Sequence, residues 1–179
     1  MAESTMTTQI ENSELPQLLN SMADEIHDRL AGKKPLIIGI HSGGVWIAEA
    51  LADILDIAFF DAPLGTLNSA YYRDDFTRVG MHSQVKPSAL PFNVDDRHLL
   101  LVDDVLQSGR TVRAALNEIF DYGRPASVTL AVLIERDGHE LPIHADIIGQ
   151  SVNLSANQHI KLTNKDGLNL EFTTNGDAE

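Results

Sequence analysis

The chain has 179 residues, with 13 basic against 26 acidic side chains and a formal net charge of −13. Its 43% hydrophobic and 22% charged content is ordinary for a globular protein, and the length suits one well-cored domain better than two. The negative charge disfavours nonspecific attraction to nucleic acid or anionic membranes. The sequence has no cysteine, no apolar run near the ~18 residues of a membrane span, and an acidic N-terminus unlike a signal peptide. These features predict a cytoplasmic protein without thiol chemistry.

Apolar segments of strand and helix length alternate along most of the chain. Residues 1–12 are expected to form a disordered arm and residues 13–179 a single domain. In chain order, we predict a helix that Ser13 caps and Gly32 ends, a strand at Leu36–Ile40, a helix at Val45–Leu55, and strands at Ile57–Phe60, Leu99–Val102, Val128–Ile134 and Asp146–Gly149. This alternation favours an α/β fold with a mostly parallel central sheet flanked by helices, in which ligands bind beyond the carboxyl ends of the strands.

Three further features complete the predicted fold. No regular period survives from residue 64 to residue 96, which predicts a long irregular connection of the kind that is usually functional. The helix after the central strand is expected to turn one apolar face inward, through Val112, Ala115, Leu116, Ile119 and Phe120. Beyond Val152 we expect short β-like pieces around the turn residues 164–167.

The central strand ends in two adjacent carboxylates, Asp103 and Asp104, and the turn Gln107-Ser108-Gly109-Arg110-Thr111 follows before the next helix. The backbone N–H groups of such a turn and the positive end of the helix dipole suit a phosphate. Carboxylates accept hydrogen bonds from vicinal hydroxyls, or from waters around a divalent cation. The stretch therefore predicts a site for a phosphorylated sugar.

This stretch resembles the phosphoribosyl-pyrophosphate (PRPP) motif of the type I phosphoribosyltransferases: a hydrophobic strand, two acids, and Ser/Thr-Gly-x-Thr. The resemblance implies that the acids hold the ribose hydroxyls in catalysis and that the turn cradles the 5′-phosphate. The implied ribose 5-phosphate site comprises Asp103, Asp104, Val105, Leu106, Gln107, Ser108, Gly109, Arg110 and Thr111. The same resemblance implies a small hood from the N- and C-terminal segments and a flexible β-hairpin loop. It also implies a Mg²⁺ ion that reaches Asp103 and Asp104 through PRPP or water.

Two other folds place acids at a strand end. A Walker B strand needs a G-x-x-x-x-G-K-[ST] partner, but Gly39–Gly44 is followed by Val45 and Trp46. A receiver domain expects a lysine at a late strand end. The lysines are Lys33, Lys34, Lys86, Lys161 and Lys165, and none has an obvious position of that kind. Neither alternative is favoured.

Two more segments are implied to bind pyrophosphate. His41, Ser42 and Gly43 join the first core strand to a helix, where small residues allow a ligand to approach the backbone closely. Tyr72, Arg73 and Asp74 lie in the irregular connection, at the place of the family's flexible loop, and Arg73 is suited to clamping pyrophosphate as a catalytic residue. An ordinary βα turn and a solvated hairpin remain the alternatives for these two segments.

A wider resemblance covers residues 15–149 and points to one branch of these enzymes. Its distinctive parts are Tyr71–Asp75, Val85–Phe92, Gly109–Leu116, Asp121–Ala126 and Glu140–Ile143. They resemble the PyrR family of pyrimidine operon regulators, which make UMP and pyrophosphate from uracil and PRPP and form dimers or larger assemblies. The turn Ile134-Glu135-Arg136-Asp137 is our candidate for contacting the pyrimidine, with a charged surface turn as the alternative.

The segment that follows the fourth strand departs from the RNA-binding members of that family. Only Arg136 remains of a basic cluster, beside His139 and His144, and Gln150 stands where lysine is usual. Because a protein that neutralises several phosphates needs several Lys or Arg on one face, the sequence does not predict RNA binding. Two other functions stay open: a sensor that binds UMP or PRPP without turnover, and a phosphoribosyltransferase for another base.

Overall fold

The computed structural model of the protein describes residues 10–68 and 88–175. A 3₁₀ turn at Asn12–Glu14 leads into the first helix. The helices are α1 (Leu15–Leu30), α2 (Gly43–Leu55) and α3 (Arg110–Tyr122). The strands are β1 (Leu36–Ile40), β2 (Gly65–Leu67), β3 (His98–Leu106), β4 (Ser127–Arg136), β5 (Ile147–Val152), β6 (Gln158–Asn164) and β7 (Leu168–Thr174). None of the helices in these two ranges could cross a membrane.

Five parallel strands form the central sheet in the order β2-β1-β3-β4-β5. Alternate residues of β3 face opposite layers: Leu100 and Val102 pack with α1 and α2, whereas Leu99 and Leu101 pack with α3. The near-continuous apolar strands of such a sheet are expected because both of its faces are covered. The α/β fold with a mostly parallel central sheet, as predicted from the sequence, is confirmed.

The second strand lies at residues 65–67 and not at the predicted Ile57–Phe60. Residues 57–59 form a 3₁₀ turn, and Ile57 is 77% exposed. Asp56 has a positive φ of 70°, and its carboxylate accepts a hydrogen bond from the Ala58 N–H at 3.2 Å. This turn chemistry decides the local structure, because a short apolar run alone does not distinguish a strand from a helical turn.

The start of helix α1 and the buried face of helix α3 also differ from the prediction. Helix α1 begins after a 3₁₀ turn, with Glu14 and not Ser13 at its N-cap position. On α3, Phe120 is 58% exposed, whereas Val112, Ala115 and Ile119 are buried as expected. Phe120 lies at the margin of the apolar stripe, and the elements of the described ranges leave it exposed.

A second, antiparallel sheet of β6 and β7 lies on the α1/α2 side of the molecule. Leu162 and Leu170 join the core cluster of that side, and so does Ile10, from the predicted N-terminal arm. The Asn12 side-chain oxygen accepts a hydrogen bond from the Leu170 N–H at 2.6 Å. Residues 10–12 thus contact the C-terminal hairpin, while residues 1–9 lie outside the described ranges.

Candidate active site

Strand β3 continues through both predicted acids to Leu106, past the carboxyl end of β1. Asp103 pairs in register with Val132 of β4 and is 5% exposed, whereas Asp104 is half-buried. One carboxylate oxygen of each acid accepts a backbone N–H, from Asp104 to Asp103 at 2.9 Å and from Val105 to Asp104 at 2.8 Å. These bonds hold two anionic groups side by side at the strand end, where both acids line a cavity.

The loop after β1 packs tightly against this acid pair. A β-carbon at Gly43 would overlap the Asp104 carboxylate, and one at Gly44 would lie 2.5 Å from the Val102 carbonyl oxygen. Helix α2 therefore begins at Gly43, two residues before the predicted start, because only glycine allows its first turn to approach β3 so closely. His41 donates its backbone N–H to the Leu67 carbonyl at 2.8 Å. The predicted pyrophosphate residues 41–43 thus lie at the same edge of the sheet as the acids.

The turn between β3 and α3 encloses a cavity of about 300 Å³ with the two acids. Gly109 has a φ of 90°, and the Ser108 hydroxyl accepts a hydrogen bond from the Arg110 N–H at 3.2 Å. The cavity is lined by Asp103, Asp104, Val105, Leu106, Gln107, Ser108, Gly109, Thr111, Val112, Ile160 and Lys161. The predicted ribose and phosphate residues therefore share one cavity, apart from Arg110, whose guanidinium binds the Glu140 carboxylate at 2.7 Å.

Two lining residues, Ile160 and Lys161, come from the β6–β7 hairpin and were not identified from the sequence. In the sequence, Lys161 is one of five lysines, none of which has an obvious position at a late strand end. The alternation of His159, Lys161 and Thr163 with apolar neighbours indicates a strand but does not say what that strand covers. The contact with the cavity arises from the packing of the hairpin.

A second cavity, of about 380 Å³, lies at the carboxyl ends of β4 and β5. Of the predicted pyrimidine-binding turn, Ile134 is fully buried in the sheet, and Arg136 is 5% exposed with its guanidinium bound to the Gln158 carbonyl at 2.9 Å. Glu135 accepts a hydrogen bond from the Ser151 hydroxyl at 3.2 Å, and Asp137 accepts one from the Leu154 N–H at 3.0 Å. The cavity is lined by Glu135, Arg136, Asp137, Gly138, His139, His144, Ser151, Val152 and Asn153.

The side chain of Gln107 connects the two cavities. A β-carbon at Gly138, whose φ is 106°, would lie 3.4 Å from Cγ and Nε2 of Gln107. The carbonyl of Ser108 accepts the backbone N–H groups of Glu140 and Leu141 at 3.0 and 3.2 Å. Two backbone hydrogen bonds and the side chain of Gln107 therefore join the turn after β4 to the turn between β3 and α3.

The remaining predicted site residues, Tyr72, Arg73 and Asp74, lie outside the described residues. Within the described ranges, no group of three or more acids and histidines could hold a metal ion by itself. Two adjacent carboxylates fit a Mg²⁺ ion whose other ligands are substrate oxygens and water, since Mg²⁺ usually binds through one or two carboxylates together with substrate phosphates.

Comparison with known proteins agrees with this arrangement. A family model described as a phosphoribosyl transferase domain matches residues 6–163. The bifunctional protein PyrR of Nitrosococcus oceani is 62% identical over 154 residues, which are 84% of this chain and 86% of that protein. The bifunctional protein PyrR of Pseudomonas aeruginosa is 52% identical over 158 residues, which are 87% of this chain and 91% of that protein. The chain belongs to the PyrR family of phosphoribosyltransferases.

More distant phosphoribosyltransferases share the fold of this PyrR-family chain. A hypoxanthine-guanine phosphoribosyltransferase of Bacillus anthracis superposes with a TM-score of 0.65 at 17% identity, covering 82% of this chain and 83% of that one. The hypoxanthine phosphoribosyltransferase of Trypanosoma cruzi gives a TM-score of 0.62 at 20% identity, with 82% of each chain covered. The predicted type I phosphoribosyltransferase fold and the predicted enzyme class, a pentosyltransferase, are confirmed.

Proposed function

We propose that this protein transfers the phosphoribosyl group of PRPP to uracil, forming UMP and pyrophosphate, as its membership of the PyrR family implies. The observation that carries the proposal is the cavity that Asp103 and Asp104 share with the turn between β3 and α3, which we call the phosphate turn (residues 107–111). A second cavity lies at the end of β4. The first cavity suits the ribose 5-phosphate part of PRPP, and the second suits the base. Acceptor and donor would then meet where the two cavities adjoin, near Gln107.

In the proposed complex, the carboxylates accept hydrogen bonds from the two ribose hydroxyls, and the backbone of residues 108–111 holds the 5′-phosphate. The start of α3 lies beside the cavity, and the positive end of a helix dipole favours an anion. Residues 41–43, together with Tyr72, Arg73 and Asp74, are proposed to hold the pyrophosphate.

The reaction proposed for this site breaks the bond between C1 of the ribose and pyrophosphate. Positive charge then develops on the ribose ring, and it is stabilised by the buried carboxylate of Asp103 and the half-buried carboxylate of Asp104, which backbone hydrogen bonds already orient. A uracil nitrogen attacks C1 from the opposite face, and its proton is released to solvent water as the pyrophosphate departs with the electron pair of the broken bond. Mg²⁺, when bound with PRPP near the acid pair, supplies positive charge that offsets the charge of the leaving pyrophosphate.

For the base, we propose that Glu135 and Asp137 contribute to the second cavity while Ile134 and Arg136 support it from within the sheet. The Glu135 carboxylate is already oriented by the Ser151 hydroxyl, and the Asp137 carboxylate by the Leu154 N–H. A site whose hydrogen-bonding groups match one substrate rejects analogues that leave those groups unpaired. Selectivity for uracil is therefore assigned to this cavity and not to the PRPP motif.

PyrR relatives are named as bifunctional, and the second function implied by the family is regulation of pyrimidine genes. We propose that any such regulation here does not use RNA binding by residues 134–144, at the end of β4 and in the turn that follows it. Arg136 is buried against Gln158, so the one arginine of that segment does not present its charge to a phosphate backbone. Fluorescence anisotropy with a labelled leader RNA of pyrimidine genes, in the presence of UMP, would test this. Tight, salt-sensitive binding would contradict it.

The predicted homodimer or larger assembly stays a prediction, which sedimentation equilibrium would test.

The deciding experiment measures UMP formation from uracil, PRPP and Mg²⁺, with hypoxanthine, guanine and orotate tested in parallel. Turnover with uracil alone is the expected result. Turnover with another base would overturn the assignment of the base. Tight binding of UMP or PRPP without product from any base would instead identify a sensor.

A further inference from the structure

The cavity that holds the acid pair carries one cationic side chain. Among its described lining residues, Asp103 and Asp104 are anionic and Lys161 alone is basic. A phosphate monoester carries about two negative charges near neutrality, so the acids would repel it unless positive charge lies on the opposite wall. The backbone of residues 108–111 supplies part of that charge, and Lys161 supplies a full unit from the hairpin.

The ammonium group of Lys161 is not used within the described protein. In the β6–β7 register Lys161 lies directly opposite Glu171, which would be its natural partner in an antiparallel pair. No ion pair joins these two residues in the described chain, and the Glu171 carboxylate instead accepts the Thr163 hydroxyl at 3.4 Å. Lys161 therefore lines the cavity without an ion pair to a described residue, although Glu171 lies opposite it on the neighbouring strand.

The position of Lys161 in this cavity indicates which phosphate of PRPP the side chain could contact. The cavity it lines contains the 107–109 turn and Thr111, and it does not include His41, Ser42 or Gly43. A lysine carries a compact charge and three N–H donors on a flexible four-carbon side chain. Such a side chain can adjust its position to contact a phosphate group that binds beside it. Its reach thus favours the 5′-phosphate over the leaving pyrophosphate.

We propose that Lys161 binds the 5′-phosphate of PRPP from across the cavity, opposite the 108–111 backbone, so that the C-terminal hairpin contributes directly to substrate binding. This inference rests on the proposed function, since it assumes that the cavity takes a phosphorylated ribose. The β6–β7 hairpin is then part of the binding site as well as a cover on the core. UMP, which carries the same phosphate, would be held by the same lysine.

The test compares four variants of the full chain: Lys161→Gln, Lys161→Arg, Lys165→Gln and Glu171→Gln. Lys165→Gln makes the same change at an exposed lysine in the tip of the same hairpin, which does not line the cavity of the acid pair. Glu171→Gln asks whether the effect comes from the opposite strand. Calorimetry measures the Kd of ribose 5-phosphate, UMP and inorganic pyrophosphate for each variant, and steady-state assays measure KM for PRPP and for uracil.

We expect Lys161→Gln to weaken ribose 5-phosphate and UMP and to raise KM for PRPP by about 3- to 10-fold, which is typical of one charge-assisted contact at a partly exposed site. Pyrophosphate binding and KM for uracil should stay as in the wild type. Lys161→Arg should retain most of the affinity, and the Lys165 and Glu171 variants all of it. The thermal unfolding midpoint should not change, because the Lys161 side chain is exposed.

Unchanged ribose 5-phosphate and UMP binding in Lys161→Gln would overturn this inference, as would an equal loss in Glu171→Gln. Loss of pyrophosphate affinity alone would also overturn it, by moving Lys161 to the leaving group. Failure of the wild type to bind ribose 5-phosphate, UMP or PRPP would instead overturn the proposed function, so the two failures are distinguishable.

Discussion

Gly43 lies directly against the carboxylate of Asp104. A β-carbon at residue 43 would overlap both Oδ2 and Cγ of that side chain and lie 2.9 Å from its Cβ. The first turn of α2 and the end of β3 therefore share a space that only glycine leaves open. This contact sets the distance between the proposed pyrophosphate loop and the proposed ribose site.

The first prediction follows from that contact. Gly43→Ala should displace the Asp104 carboxylate and lower kcat/KM by about 100-fold, the loss that a displacement of about 1 Å can cause in a catalytic group. Overpacking of this kind costs about 1–3 kcal/mol of stability, so the variant should still fold. Gly167→Ala is the control, since nothing lies within 4 Å of that β-carbon position and only the positive φ is strained. Normal kcat/KM in Gly43→Ala would show that the contact does not position Asp104.

The second prediction concerns Asp104 itself. Asp104→Asn keeps the shape of the side chain and the hydrogen bond from the Val105 N–H, but it removes the negative charge. We expect turnover to fall by about 100-fold or more, as when one electrostatic stabiliser of a transition state is removed, with little change in the unfolding midpoint. Asp53→Asn, at an exposed position on α2, makes the same substitution away from the acid pair. A variant that loses stability but keeps its specific activity would contradict this role.

The third prediction concerns Arg110. It tests whether the 5′-phosphate is bound by the Arg110 guanidinium or by the backbone N–H groups of the phosphate turn. The Arg110 guanidinium binds Glu140 on the surface, with both side chains about half exposed. Exposed ion pairs of this kind contribute about 0.2–1 kcal/mol. Arg110→Gln should therefore change stability by less than about 1 kcal/mol and leave KM for PRPP nearly unchanged, because the backbone N–H groups remain. A large rise in KM for PRPP would show that the guanidinium itself holds the phosphate.

The fourth prediction concerns Glu118, a buried acid on α3. Burial raises its pKa above the ordinary value of 4.5; the Ser88 hydroxyl opposes this by hydrogen bonding, and the nearby charge of Asp121 adds to it. The native protein therefore binds more protons than the unfolded chain at pH values above 4.5, and the stability that this proton supplies is lost as the pH rises through the native pKa.

Glu118→Gln should remove that dependence on pH. Urea unfolding from acid to neutral conditions should give a stability difference, variant minus wild type, that increases with pH. A constant difference would contradict the raised pKa.

Local sequence predicted those parts of the site that lie in one contiguous stretch. The buried strand, the acids and the Ser108–Thr111 turn follow one another along the chain, so their spacing already determines their geometry. Even here the prediction was incomplete, because β3 runs through both acids to Leu106 and not only to Val102. Pairing with β4 extends the strand, and pairing partners are not visible in a single segment.

Elements whose structure depends on distant neighbours were less predictable. The apolar run at residues 57–60 has the composition of a strand, yet an Asp56 turn makes it a 3₁₀ segment. Phe120 fits a helical stripe, yet it is 58% exposed. In the first case the adjacent turn overrides the apolar pattern, and in the second the described packing leaves an apolar side chain exposed.

The sequence by itself determined the fold class, because hydrophobic periodicity reveals the alternation of strands and helices. It also indicated the family, because the residues of the PRPP motif are adjacent in the chain and resemble those of known phosphoribosyltransferases. Only the tertiary structure decided that Gly43 abuts Asp104, that Gln107 lies against Gly138, and that Lys161 lines the acid cavity. Each of these contacts joins segments far apart in sequence. The packing of Leu162 and Leu170 into the core brings the hairpin to the site, and no local pattern around Lys161 encodes that position.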